Sequence, residues 1–457
     1  MLSRNMGEQF GGFGIVAGNH EFGVSGDERR WRVAVPLAPA PARQRLPARF
    51  ADATRAREVA VAFDLRQLPA DYYANPYPTY HALREHSPIH RLPDGGYFLS
   101  RYADCVAVYK DTAAFSSDKK REFAPKYGQS LLYQHHTTSL VFNDPPLHTR
   151  VRRIIAGALT PRAIADMEAA VTALVDRLLA AMAAKGSADL IADFATAVPV
   201  EVIGNLLAVP PEERGPLRDW SLAILGALEP VLSDAQRERG ERAVAEFLDY
   251  LVRLVADRRA HPGNPARDVL TRLIAGETNG DRLSEPELLH NVIFILNAGH
   301  ETTTNLIGNG LFALLEWPEE KARLLASPEL ICPAVEELLR FESSNQLGNR
   351  MSTRPVELGG VALPAGTFIT IGIGAANRDP AEFPDPDRLH IAREPNRHLA
   401  FGSSVHICAG LNVARLEGRI AIGRFLARFP DYRLYGEPVR GGRARFRGFL
   451  SIPVALG

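Results

Sequence analysis

Apolar residues recur at helical spacing over most of the chain after Phe63, and short alternating stretches are few. The segment "PTYHALREH" predicts a short helix, and "GGYFLSRY" predicts a strand that follows a turn. The stretch "TPRAIADMEAAVTALVDRLLAAMAAKG" predicts one long amphipathic helix, and "SDAQRERGERAVAEFLDYLVRLVADRRA" predicts a second on the surface. Strand patterns return in "PVELGGVALPAGTFITIGIG" and near the C-terminus. This distribution predicts a mainly α fold with small antiparallel β-sheets.

The longest helical pattern is "SEPELLHNVIFILNAGHETTTNLIGNGLFALLEW". Ser284 and Glu287 have the spacing of a capping box, and Pro286 is tolerated in a first helical turn. From Glu285 to Trp317 the helix would span roughly 50 Å. Because so long a helix is apolar on most sides, we expect it to pass through the core.

The first 60 or so residues differ from the rest. "GEQFGGFGIVAGNHEFG" is rich in glycine, and "VAVPLAPAPARQRLPARF" carries prolines through a basic stretch without helical periodicity. The stretch lacks the unbroken apolar segment of a secretory signal. We expect residues 1–60 to be a disordered extension or the product of an upstream start site, with a structured arm as the alternative. Residues 61–457 would form one catalytic domain.

Composition narrows the class of protein. Hydrophobic residues make up 46% of the 457 residues, and Lys plus Arg equals Asp plus Glu at 53 each, so no nucleic-acid-binding surface is indicated. No stretch approaches the roughly 18 apolar residues of a membrane span. The three cysteines are too few and too far apart for a disulfide framework. We therefore expect a cytoplasmic enzyme.

One cysteine stands out in "HLAFGSSVHICAGLNVARLE". Cys408 precedes a predicted helix, whose N-terminus favours a thiolate. Gly402 and Gly410 would let the backbone approach a large flat group, because they have no Cβ. The thiolate could be a nucleophile with His406 as its base, a metal ligand, or a buried inert group. A zinc site is disfavoured because no Cys-x-x-Cys is present.

The order Phe401, Gly402, His406, Cys408 and Gly410, F-G-x-x-x-H-x-C-x-G, resembles the haem-binding loop of the cytochrome P450 family, of the soluble bacterial type. The resemblance implies haem b (iron protoporphyrin IX) as cofactor and Cys408 as its axial metal ligand. It also implies that Phe401, His406 and Gly410 contact the cofactor.

The loop departs from the family pattern at Ser404, where glycine is usual. If the backbone there has a positive φ, serine carries a strain of about 1 kcal/mol.

A second unusual segment is "NAGHETTTN" in the middle of the longest helix. Gly299 followed by threonines is unfavourable in a helix, and its simplest explanation is close packing with satisfied hydroxyls. A zinc-protease motif is excluded because Thr304 stands where its second histidine is required. The segment is similar to the acid–threonine motif of the same family. That resemblance implies that Glu301 and Thr302 are catalytic and deliver protons for oxygen activation.

Further pairs fit the same family. Glu337 and Arg340 are spaced to pair on one helix face and resemble its Glu-x-x-Arg motif, a structural element that binds "NRDPAEFPDPDRLHIAR" and retains haem.

His148 and Arg152 lie on one helical face in "NDPPLHTRVRR", and two cationic donors suit a pair of carboxylates. By resemblance, His148, Arg152, Arg350 and His398 would bind the haem propionates.

The resemblance also implies which segments face the substrate, among them the stretch 119–142, the helix pair around residues 220–231 and "SSNQLGN". The residues expected in this wall are Phe294, Asn297, Ala298, Gln346, Asn349 and Phe449.

The resemblance implies an oxidoreductase, a haem-thiolate monooxygenase that uses O2 to hydroxylate or otherwise oxidise a hydrophobic small molecule. No dinucleotide fingerprint or iron–sulfur cysteine cluster is present, so we expect electrons from a separate ferredoxin and ferredoxin reductase. The alternatives are a haem-thiolate peroxygenase, isomerase or dehydratase, and a non-catalytic haem- or ligand-binding protein. The presence of both Glu301 and Thr302 argues against them.

Overall fold

The computed structural model describes residues 45–265, 268–275 and 282–457. Helices dominate these ranges, as predicted. The α-helices are α1 Ala53–Val61, α2 Ala70–Ala74, α3 Tyr77–His86, α4 Tyr102–Lys110, α5 Lys120–Tyr127, α6 Leu131–Thr138, α7 Leu147–Ala158, α8 Pro161–Ala165, α9 Glu168–Ala183, α10 Ala197–Leu206, α11 Leu217–Gly226, α12 Asp234–Ala260, α13 Val269–Ala275, α14 Glu285–Glu316, α15 Pro318–Ala326, α16 Ile331–Phe341, α17 Ile373–Ala376 and α18 Leu411–Arg428.

The strands are short and form small sheets. Strands β1, β2, β8, β5 and β3 form a five-stranded sheet in that order, in which only the β2–β8 pairing is parallel. Strands β4, β12 and β9 form a second sheet, and β10–β11 and β6–β7 are antiparallel pairs. The strands are β1 Ile89–Arg91, β2 Tyr97–Leu99, β3 Phe115–Ser116, β4 Ser187–Asp189, β5 Leu347–Ser352, β6 Val356–Leu358, β7 Val361–Leu363, β8 Phe368–Gly372, β9 Arg433–Leu434, β10 Val439–Arg440, β11 Phe449–Ser451 and β12 Pro453–Ala455.

The central helix α14 forms where it was predicted. Ser284 and Glu287 make the capping box in both directions, and most residues from Leu288 onward are buried. α10, α11, α16 and α18 pack around it. Gly299 is a position of close approach, since a Cβ there would clash with Ile203 of α10. The core of the molecule is therefore organised around this helix.

Two expectations about elements need correction. The helix predicted over residues 160–186 is divided into α8 and α9, because the N–H of Met167 bonds the carbonyl of Ile164 and offsets the helical ladder. The predicted extension overlaps α1, whose Ala56 and Ala60 are buried. Arg45 also stacks on the ring of Trp317, 3.7 Å from its centroid. Residues 1–44 of that prediction lie outside the described residues.

Among the described residues, the helices include none with the length and apolar character that crossing a bilayer requires.

Candidate active site

A cavity of about 340 Å³ is bounded by α14 and by the loop that precedes α18. Cys408 is in its wall, three residues before the first residue of α18. The Cys408 N–H donates to the carbonyl of Phe401 at 2.8 Å, which closes the loop. Burial raises the pKa of the Cys408 thiol, while the Gly410 N–H and the cations Arg152 and Arg415 favour the thiolate.

Ser404 adopts the positive φ that its family position suggests. Its φ is +61°, within the left-handed region, and its hydroxyl makes no hydrogen bond to any described residue. The side chain is exposed. The Ser404 carbonyl accepts from the Ile407 N–H at 3.1 Å, but the side chain makes no hydrogen bond to a described residue that would offset the strain.

Several cationic or imidazole side chains, buried or partly buried, meet at the same cavity. His148 and Arg152 project from α7, Arg350 from β5 and His406 from the cysteine loop. The rings of His148 and His406 lie 4.1 Å apart between centroids. Neither nitrogen of His148 nor Nδ1 of His406 has a hydrogen-bond partner among the described residues. Burial, reinforced by nearby cations, lowers the pKa of His148 to about 4 and of His406 to about 2.

His398 differs from the other residues predicted to bind propionates. Its Nε2 lies 3.3 Å from Glu336 Oε2, and its Nδ1 accepts from the Ala400 N–H at 3.2 Å. It is not among the residues that line the cavity. The structure therefore brings together His148, Arg152 and Arg350 but not His398.

The two predicted catalytic residues occupy neighbouring but distinct places on α14. Thr302 lines the cavity, and its hydroxyl donates to the Ala298 carbonyl at 2.5 Å. Glu301 is not in the cavity wall; its Oε1 pairs with Arg443 at 2.5 Å, while its buried Oε2 has no partner among the described residues. Burial raises the pKa of Glu301 to about 7 although the Arg443 cation opposes the shift.

The contact predicted between Glu337 and Arg340 is present. Two hydrogen bonds of 2.7 and 2.8 Å join the side chains, and neither is exposed. Arg340 also donates to the carbonyls of Asn377 and Pro386, and Glu337 accepts from Arg393. The pair therefore binds the segment that leads to the cysteine loop.

Four of the six residues predicted to face the substrate line the cavity. Phe294, Asn297, Ala298 and Asn349 line the cavity. The cavity also receives His135 and His136 from the stretch 119–142, and Ile224 and Leu225 from α11.

Gln346 and Phe449 do not belong to this wall. The Gln346 amide donates to the Ser343 carbonyl at 2.7 Å and is buried beneath Tyr80. Phe449 packs on the ring of Phe312, with centroids 4.6 Å apart. Both side chains contact neighbouring core residues rather than the cavity.

Three residues near the site were missed from the sequence. Arg443 contacts Glu301, and Arg445 lines the cavity and donates to Asn349 Oδ1 at 2.6 Å. Glu417 lines the cavity and is buried, and its Oε2 has no partner among the described residues. Burial raises the pKa of Glu417 to about 8. Glu417 could have been found from the sequence, because it is a carboxylate on an otherwise apolar helix face. No sequence pattern pointed to Arg443 or Arg445.

Comparison with known proteins connects this geometry to a family. The family model described as Cytochrome P450 matches residues 220–327 and 329–430. A vitamin D(3) 25-hydroxylase of Pseudonocardia autotrophica is 37% identical over 394 residues, which cover 84% of this chain and 95% of that protein. The chain is a cytochrome P450.

Other similar proteins agree with this assignment. The cytochrome P450 monooxygenase PikC of Streptomyces venezuelae is 37% identical over 401 residues, with 86% and 93% of the two chains covered. The crystal structure of P450BioI in complex with acyl carrier protein ligated to hexadec-9Z-enoic acid superposes with a TM-score of 0.80. It is 33% identical and covers 85% of this chain and 100% of that one.

As a cytochrome P450, the protein is a haem-dependent monooxygenase, an oxidoreductase that acts on hydrophobic substrates and receives electrons from redox partners. The residues in the cavity fit such a cofactor. The partly buried Cys408 thiol lines the cavity, and the unpartnered imidazoles with two arginines match the carboxylates of a porphyrin.

Proposed function

We propose that this cytochrome P450 hydroxylates an apolar small molecule with Cys408 as the thiolate ligand of haem iron. The main support is that Cys408 and Thr302 line the same cavity as four polar or cationic side chains, His148, Arg152, Arg350 and His406. Haem with a thiolate ligand supplies the binding and cleavage of O2. The protein's part is to hold that group, exclude water and supply protons.

Retention of the cofactor falls to two sets of residues in this proposal. His148, Arg152, Arg350 and His406 would hold the propionates, since charge-assisted bonds to carboxylates would satisfy the buried donors. Glu337 and Arg340 would hold the segment that leads to the cysteine loop and would not contact the cofactor.

Glu301 and Thr302 are the proposed proton donors. The pKa of Glu301, raised to about 7 by burial, lets its carboxyl both hold and release a proton near neutral pH. The Thr302 hydroxyl is the nearer of the two to the cavity, and rotation away from the Ala298 carbonyl would present it to the cavity. A proton would thus move from Glu301 to Thr302, directly or through water.

The proposed electron donor is a ferredoxin served by its reductase, and the proposed location is the cytoplasm. Val405 and Ile407, which lie in the cysteine loop on either side of His406, are 42% and 39% exposed and offer an apolar contact on the thiolate side. Two arginines that could attract an acidic carrier are already engaged: Arg150 binds Glu287, and Arg415 binds Glu336 through two bonds of 2.7 Å. We therefore assign the docking contact to the apolar pair.

The proposed substrate is a largely apolar skeleton with few polar groups. Phe294, Ile224 and Leu225 provide the apolar wall, while Asn297 and Asn349 provide polar positions. Relatives named for vitamin D(3), for polyketide biosynthesis and for acyl-carrier-protein-bound fatty acid suggest terpenoid, polyketide or fatty-acid skeletons as the first compounds to screen.

The assignment is tested by adding carbon monoxide to the reduced, purified protein. We expect the red-shifted Soret band of a haem-thiolate complex, and we expect Cys408→Ala to abolish it. Cys105→Ala and Cys332→Ala are the controls, because Cys105 is buried among β-sheet side chains and Cys332 is exposed. Persistence of the band in Cys408→Ala would show that another group binds the iron.

A further inference from the structure

The carboxylate of Glu301 contacts a residue that is distant in sequence. Arg443 Nη1 lies 2.5 Å from Glu301 Oε1, although the two residues are 142 positions apart. The Glu301 side chain is 7% exposed and the Arg443 side chain 22%. The second terminal nitrogen of Arg443 donates to the Leu222 carbonyl on α11 at 3.0 Å. Arg443 therefore joins α14 to α11.

The loop that carries Arg443 is also fixed to α11. Glu229, three residues after the end of α11, accepts hydrogen bonds from three successive backbone N–H groups of residues 444–446. The Ala444 bond is 2.9 Å long. Because three consecutive amides share this carboxylate, the backbone next to Arg443 has a defined position relative to α11.

α11 is in turn a wall of the substrate cavity. Ile224 and Leu225 line that cavity, two and three residues after the carbonyl that Arg443 binds. A substrate that displaces this turn of α11 therefore also displaces one of the two acceptors of Arg443.

Arg443 also borders a second cavity of about 400 Å³. Glu229, Gln236 and Arg239 give it a polar lining, and it extends to Leu450, which is 54% exposed. Arg443 thus contacts both Glu301 and a second, polar cavity.

We propose that Arg443 is the positioning residue of Glu301: by holding the carboxylate, it sets the pH range over which Glu301 can supply protons to Thr302. While the pair is closed, Oε1 is occupied by the guanidinium and Oε2 is buried.

Few charged side chains lie near Glu301. Arg443, from the C-terminal loop, stabilises its ionised form, and Glu229, after α11, opposes ionisation. His300, the neighbour on α14, is buried, and its pKa is lowered to about 4, so it is neutral near pH 7. Arg443 is consequently the one cation among the described residues that is in contact with this carboxylate.

The test compares Arg443→Gln with wild type, using the haem-loaded enzyme and any compound that shifts its Soret band. Product formed per electron pair is measured as a function of pH. The infrared band of the protonated Glu301 carboxyl, which is assigned by its absence in Glu301→Gln, is measured over the same pH range. We expect Arg443→Gln to move both inflections to higher pH by about one unit or more, because a cation in contact is lost. Arg239→Gln, which alters the second cavity without touching Glu301, should leave them unchanged.

Arg443→Lys provides a second measurement if the glutamine variant is unstable. Its single ammonium keeps the charge but cannot reproduce the planar two-acceptor contact, so we expect a smaller shift in the same direction. Unchanged inflections in the Arg443 variants would overturn the inference.

The inference rests on the proposed role of Glu301, and the two can fail separately. If Glu301→Gln leaves coupling and its pH profile unchanged, the proposed proton donor is wrong. If Glu301→Gln removes the inflection but both Arg443 variants retain the wild-type profile, only the role of Arg443 is wrong.

Discussion

Arg340 and Glu337 form a two-point ion pair in which neither side chain has exposed surface. Arg393 adds a contact of 3.1 Å to the same carboxylate, and the backbone N–H of His390 donates to it at 2.9 Å. Burial would raise the pKa of Glu337, but the hydrogen bonds and charges of Arg340 and Arg393 lower it. The carboxylate is therefore ionised and ties α16 to the segment before the cysteine loop.

Replacing Glu337 by alanine should destabilise the protein severely. Removal of one partner leaves the Arg340 guanidinium buried without its counter-charge, which costs about 3–5 kcal/mol. Urea denaturation of the haem-loaded protein measures the loss, and haem content after purification should fall with it. Asp176→Ala is the control, because its pair with Arg424 is about half exposed and contributes roughly 0–1 kcal/mol. Equal losses in both variants would contradict a special role for the buried pair.

Ser404→Gly should stabilise the cysteine loop. Serine at φ +61° carries strain of about 1–2 kcal/mol, which glycine avoids, while the greater freedom of glycine in the unfolded chain offsets part of the gain. We expect a net gain of about 0.5 kcal/mol in unfolding free energy and slower haem loss to an acceptor protein. Ser403→Gly is the matched control, since the φ of Ser403 is −155° and therefore unstrained. A gain in the control alone would contradict the argument.

Thr302→Ala should divert electrons from product. The Thr302 hydroxyl is at the cavity, and we expect electron consumption to continue while product per electron pair falls several-fold. Thr304→Ala is a close control, because Thr304 makes the same bond to the carbonyl four residues earlier, at 3.0 Å, but is outside the cavity wall. Thr302→Ser should recover much of the coupling. Normal coupling in Thr302→Ala would remove this residue from the proposed proton route.

Glu336 should contribute stability that depends on pH. Burial alone would raise its pKa, but hydrogen bonds from His398 and Arg415 outweigh it and lower the pKa to about 2. Because the folded pKa lies below the unfolded value near 4.5, the contribution is complete above about pH 4.5 and is lost as pH falls towards 2. We expect Glu336→Gln to lower unfolding free energy by roughly 1–3 kcal/mol at pH 7. Urea titrations at several pH values should show the difference narrowing between pH 4.5 and 3. A constant difference would contradict this linkage.

The central helix and the cysteine loop could be predicted because their signals are local. The capping box at Ser284 and the apolar pattern that follows depend on residues within a few turns, so α14 begins where it was expected. The spacing around Cys408 likewise fixes the loop without reference to distant residues. The positive φ of Ser404 follows from the same local comparison.

The direction of individual side chains could not be predicted in the same way. His398 and His406 both lie close to Cys408 in sequence, yet only His406 lines the cavity, while His398 contacts Glu336 on α16. Gln346 is held by Ser343 and faces Tyr80 instead of the substrate.

The sequence by itself determined the mainly α fold, the central helix and the type of cofactor loop, since caps, periodicity and motif spacing act over short distances. Only the tertiary structure decided that Arg443 holds Glu301 and that α11 supplies its second acceptor. The physical reason is that an ion pair between residues 142 positions apart is created by packing, and no local pattern records it.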